Sequence, residues 1–143
     1  MAIEIVRGDR LSAAQVYEVW RLRDAVFAFE QHVDDVDVDG FDLLPTTTHL
    51  WLSDDAGLTS YLRVLEHVDP VAVGRVCTRK DVRGRGLSGT LLREVLAGWG
   101  DRPLHLGAQK YLEHWYGGFG FAVSGDEYDD GGIPHVPMDR PAS

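Results

Sequence analysis

Apolar side chains recur at helical spacing in the first third of the chain. Val16, Val19, Trp20, Val26 and Phe27 share one stripe. Ser12 with Gln15 forms an S-x-x-Q box that opens this helix at about Ala13. Arg23 falls on the same stripe, where a charge needs a partner or a wet cleft. A short strand is expected before it, over Ile3–Val6. Residues 32–42, HVDDVDVDGFD, read as too acidic for the core.

The pattern then turns to strands. His49–Ser53 and Leu58–Glu66 flank the turn Asp54-Asp55-Ala56-Gly57 as a hairpin, and Val71–Thr78 alternates as a further strand. The turn Arg83-Gly84-Arg85-Gly86 leads to a helix over about Leu87–Leu96, closed by Gly98 and Gly100. A buried strand Leu104–Gly107 and a helix over about Gln109–Tyr116 follow. After Gly117-Gly118, a strand pair is expected near Phe121–Ser124 and His135–Met138. This order predicts one α+β domain over residues 1–143, with a mixed sheet, a central parallel step and helices on both faces.

Composition narrows the function. The 143 residues are 44% hydrophobic and 26% charged, a globular profile without an apolar run long enough to span a membrane. The N-terminus has no apolar leader segment, and the lone cysteine, Cys77, excludes an internal disulfide; a cytoplasmic setting is expected. The net charge of −9 argues against nucleic acid as a partner. Yet Arg75, Arg79, Lys80, Arg83 and Arg85 concentrate positive charge in one segment, opposed only by Asp81. A small anion is the ligand such a segment suggests.

That segment spans a strand, a glycine-rich turn and a helix start, an arrangement whose backbone N–H groups and helix dipole favour phosphate. It lacks the Walker A spacing. Gly84-Arg-Gly-Leu-Ser-Gly matches G-x-G-x-x-G, but no acidic residue closes a following strand as a dinucleotide site requires. Asp35-x-Asp37-x-Asp39-Gly40 is no calcium loop, because Thr46 stands where the bidentate Glu belongs; no metal is expected. Its carboxylates suit a cleft that attracts a protonated amine. Cys77 lacks the spacing of a nucleophile site.

The run R-G-R-G-L-S-G-T-L-L resembles the acyl-CoA pyrophosphate loop of the GNAT superfamily of N-acetyltransferases, Q/R-x-x-G-x-G/A. Arg83, Gly86 and Ser88 fall on its fixed positions, Ser88 departing from Gly or Ala. Tyr116-Gly-Gly-Phe-Gly-Phe121 is similar to the superfamily's Y-x-x-x-G-F segment. L-R-D-A-V-F-A-F-E-Q at 22–31, D-V-D-G-F-D at 37–42, L-G-A-Q at 106–109 and D-G-G-I-P-H at 130–135 are similar to the ElaA-like acetyltransferases. These segments, with shorter ones between, spread over about residues 16–140.

The resemblance implies a GNAT-like acyl-CoA N-acyltransferase fold, with a mostly antiparallel sheet and a central splayed parallel pair. It implies acetyl-CoA as donor and an amine, on a small molecule or a peptide, as acceptor; a homodimer is common among such proteins. Val76, Cys77 and Thr78 would face the thioester and pantetheine. Arg83, Gly84, Arg85, Gly86, Ser88, Gly89 and Thr90 would hold the phosphates, with Gln109 nearby. Tyr116 matches the tyrosine that protonates the departing thiolate. Glu30 and His135 are the main candidates for the base, His49 and Glu127 weaker ones. Arg23 and Arg63, with Glu30, either bind the acceptor or, as arginines, pair with Glu30 or Asp42 in a buried ionic network. L-R-D-A-V-F with D-V-D-G-F-D is also similar to acyl-homoserine-lactone synthases, which use a longer acyl donor. A further alternative is an acyl-CoA-binding regulatory module without turnover.

Overall fold

The computed structural model describes residues 2–143. In chain order the elements are β1 (Glu4–Arg7), α1 (Ala13–Arg23), β2 (Thr47–Asp54), β3 (Gly57–Leu65), β4 (Val71–Thr78), α2 (Leu87–Trp99), β5 (Leu104–Gln109), α3 (Glu113–Gly117), β6 (Ala122–Val123), β7 (Tyr128–Asp130) and β8 (Ile133–Arg140). The eight strands form one mixed sheet in the order β1-β2-β3-β4-β5-β8-β6, with β7 also on β8. Among the described residues only β4 and β5 run parallel.

The capping box forms as its spacing predicts. The Gln15 N–H donates to Ser12 Oγ at 3.1 Å and the Ser12 N–H to Gln15 Oε1 at 2.9 Å. Past Arg23 the chain does not uncoil. It widens over Asp24–Glu30 into π-helical turns, with the Gln31 N–H donating to Val26 O at 3.0 Å. Such turns are rare and frequent at functional sites.

Two apolar layers cover the sheet. On one face Leu91, Leu92 and Val95 of α2, all at 0% exposure, meet Leu50, Leu62 and Val64. On the other, Val19, Leu22 and Val26 pack on Trp51, Tyr61 and Cys77. Burying each large aliphatic group contributes roughly 1.5–3 kcal/mol.

A bulge in β4 redirects its side chains. Tyr61 pairs with Cys77, but Arg63 pairs with Gly74, so β4 holds one extra residue there. Arg75 has φ +53°, left-handed and uncommon for arginine. Val71 and Val73 face the α2 layer, whereas Cys77 joins the α1 layer. Uninterrupted alternation would have kept all three on one face.

Three sequence expectations change. Gly98 lies within α2, and Gly100 alone caps it. The helix expected from Gln109 begins as a 3-10 turn at Lys110–Leu112, with α3 shorter than foreseen. The segment 32–42 is not wholly outside the core, because Asp42 is 3% exposed.

Candidate active site

The site forms where β4 and β5 part. Their register holds at Val71–Leu104 and Ala72–His105 and then ends. The rest of each strand diverges around a cavity of about 660 Å³. Arg79 N–H donates to Thr59 O at 2.7 Å, so antiparallel alternation turns the Thr78 N–H, and the Val76 N–H before it, away from β3 toward the gap. These donors suit an oxyanion or an amide carbonyl. Cys77 lines the same strand, but its thiol sits in the α1 layer and burial pushes it up to about 12.

The glycine-rich turn forms one rim. Gly84 and Gly86 have φ of +80° and +73°, and a Cβ on either would meet nothing within 4 Å. Gly86 stands at the N-cap of α2 with no side-chain cap. The first intrahelical bond comes from Thr90 N–H to Gly86 O, leaving the Leu87, Ser88 and Gly89 N–H groups for a ligand. The Thr90 hydroxyl also returns to Gly86 O, at 3.1 Å. The cradle fits an anionic pyrophosphate. Ser88 is tied inward: its Oγ lies 2.6 Å from Thr78 Oγ1 and 3.2 Å from Ser60 Oγ. This hydroxyl cluster pins the start of α2 to the end of β4, which accounts for serine at that motif position.

Arg83 is engaged elsewhere. Its guanidinium binds Glu30 at 2.5 and 2.6 Å and Thr78 O at 2.9 Å. Arg85, exposed on the turn, has no ion-pair partner among the described residues. The Arg83 bond holds the Glu30 carboxyl below the usual carboxylate range, which weakens it as a base.

Tyr116 and His135 both line the cavity. Tyr116 is 5% exposed, its ring edge-on to Trp115 and Phe121. Its hydroxyl bonds no protein group among the described residues, yet it is not sealed off, so it opens on the cavity. Burial raises it above the ordinary tyrosine range, so it stays protonated at neutral pH. His135 is 9% exposed. Its Nδ1 donates to Ile133 O at 2.7 Å, which leaves Nε2 as a lone-pair acceptor toward the cavity. Tyr128 stacks on it at 5.7 Å. Gln109 joins Gln31 across the cavity, donating at 2.9 Å.

Arg23 and Arg63 take the second of their two readings, with Asp42 as the partner. Arg23, at 0% exposure, donates to Asp42 at 2.7 Å and to Asp37 at 2.9 Å. Arg63 binds Asp39 and, at 2.9 Å, Asp42. Arg75 reaches Asp37 and Asp39, and the Trp20 indole donates to Asp42 at 3.1 Å. Three arginines thus neutralise the three carboxylates of the D-V-D-G-F-D loop. His49 is likewise structural, with Nδ1 at 2.6 Å from the Tyr61 hydroxyl and Nε2 at 2.7 Å from Asp42 O. Glu127 lies outside the cavity lining, 3.9 Å from Lys110.

The acetyltransferase (GNAT) domain family model matches residues 23–141. The chain belongs to the GNAT family. Within it the chain is ElaA-like. It is 43% identical to a UPF0039 protein of Mycobacterium tuberculosis, over 99% of this chain and 94% of that protein. The crystal structure of Escherichia coli ElaA superposes with a TM-score of 0.88 at 33% identity, covering 98% of this chain and 99% of that one. An acyl-CoA N-acyltransferase from Pseudomonas aeruginosa gives 0.88 at 34% identity, with the same shares covered. The GNAT fold inferred from the sequence is therefore the fold observed, including its splayed parallel pair.

The sequence did not single out Tyr128 or Gln31, both of which line the cavity, whereas Asp35, read as a carboxylate suited to an amine-attracting cleft, does line it. The Asp-Gly-Gly turn at 130–132 was a usable signal. Read as a hairpin, it sets Tyr128 opposite His135.

Proposed function

We propose that this GNAT acyltransferase moves an acetyl group from acetyl-CoA to an amine by direct attack in a ternary complex, residues 1–143 acting as one cytoplasmic catalytic domain without a metal. The observation that carries this reading is Tyr116, its hydroxyl without a protein partner among the described residues, in the lining of the cavity that Val76 and Thr78 of β4 also line.

In this mechanism the pyrophosphate takes the N–H groups of Leu87, Ser88 and Gly89, with Arg85 as the free cation. His135 Nε2 accepts a proton from the ammonium of the acceptor. The amine nitrogen attacks the thioester carbon, and the Val76 and Thr78 N–H groups stabilise the oxyanion. The adduct nitrogen loses its second proton to solvent as the C–S bond breaks, Tyr116 gives its proton to the thiolate, and solvent restores it. His135 fits the base role better than Glu30, because its Nε2 is free while Glu30 is held by Arg83.

Calorimetry with acetyl-CoA at two salt concentrations, with CoA and ATP as controls, tests the donor site. Binding that weakens with salt is expected. No binding would remove the acyltransferase reading.

A further inference from the structure

Resting on the acyltransferase reading, the cavity also carries information about the acceptor. Three of its lining residues are cationic, Arg63, Arg75 and Arg83, and each is already ion-paired with a carboxylate of this chain. A carboxylate on the acceptor therefore finds no free cation there. The lining acids divide differently. Glu30 and Asp37 are paired to arginines, but Asp35 and Asp130 have no cationic partner among the described residues. Asp35 Oδ1 takes only the Val36 N–H, at 2.8 Å.

These two carboxylates belong to segments that touch. The Asp34 N–H donates to Gly131 O at 2.9 Å, which fastens the loop bearing Asp35 to the β7–β8 turn beside Asp130. The same hairpin holds His135, 91% buried by its 9% exposure, with Nε2 unpartnered and open to the cavity. Tyr128 lies between, its ring on His135 and its hydroxyl over Gly107 of β5. A buried base, an aromatic face and two uncompensated carboxylates thus follow one another along one wall.

We propose that the acceptor is a diamine: a primary amine that reacts beside His135 and carries a second ammonium group, held by Asp35 and Asp130. Its methylene chain lies against Tyr128. The two ammonium groups have different fates, the first losing a proton to Nε2 and the second remaining charged.

Three probes with nearly the same chain isolate the second group: 1,4-diaminobutane, n-butylamine and 4-aminobutanoate. Thiol release from acetyl-CoA is expected to have the highest kcat/KM with the diamine and the lowest with 4-aminobutanoate. In Asp35→Asn and Asp130→Asn enzymes, KM for the diamine should rise about twofold to fivefold, the scale of one exposed ion pair. KM for n-butylamine should hold. Equal or better turnover of either other probe overturns the proposal, as does an unchanged diamine KM in the double variant. Calorimetry with 1,4-diaminobutane separates the two readings if no amine is turned over. Diamine binding that the double variant loses supports the site while the transferase reading falls. Absence of diamine binding to the wild-type protein overturns the site.

Discussion

The Arg83 guanidinium holds the Glu30 carboxylate through two parallel bonds of 2.5 and 2.6 Å, joining the glycine-rich turn to the π-helical segment across the cavity. A carboxylate so held is a poor proton acceptor. Glu30→Gln should therefore leave kcat nearly unchanged, whereas His135→Asn should lower it by about 10²-fold or more. Freed from Glu30, Arg83 should also increase the salt dependence of acetyl-CoA binding. A comparable loss of kcat in the Gln variant, with His135→Asn unaffected, would return the base role to Glu30.

Asp42 accepts from Arg23, Arg63 and Trp20 at once. Asp42→Ala leaves two buried guanidinium groups short of a partner, and should cost about 3–5 kcal/mol in urea unfolding. A loss below about 1 kcal/mol would mean that the remaining acids re-form the network.

Burial alone would raise the Asp39 carboxyl, but its hydrogen bond and charge interaction with Arg63 override this and hold it near 2. The folded value thus lies below the unfolded value of about 3.9. The stabilisation is full above the unfolded value and disappears as pH falls through the folded one. Urea midpoints measured between pH 5 and pH 2 should fall steeply below about pH 4, and less steeply in Asp39→Asn. Equal slopes would show that Asp39 contributes nothing to acid sensitivity.

The Cys77 thiol, 5% exposed and pushed up by burial to about 12, should resist iodoacetamide at pH 8 in the folded protein. Full alkylation should require denaturant. Rapid labelling of native protein would contradict its packing beside Tyr61 and Val26.

Much of the scaffold is legible in local pattern. The capping box at Ser12 and the bounds of β4 are local properties, and both appear as the sequence predicts. The acidic loop misleads at Asp37, Asp39 and Asp42, whose charge is cancelled from a distance by arginines on α1, β3 and β4. Asp42 reads as surface until Arg23 and Arg63 are brought to it. Arg23 did announce itself, as a charge on an apolar stripe. The reversal of faces along β4 depends on a bulge at Arg75, whose one local sign is the neighbouring Gly74. For the site, the glycine-rich turn and Tyr116 are motif-bearing positions, whereas Tyr128 acquires its place only through the pairing of β7 with β8.

In the proposed mechanism the Tyr116 hydroxyl protonates the departing thiolate. The most direct test is single-turnover thiol release from acetyl-CoA with a saturating amine, comparing wild type with Tyr116→Phe while calorimetry follows acetyl-CoA binding. Release is expected to slow by about 10²-fold or more with acetyl-CoA affinity unchanged, because the phenyl ring retains the packing and loses only the proton. Release at the wild-type rate would contradict it.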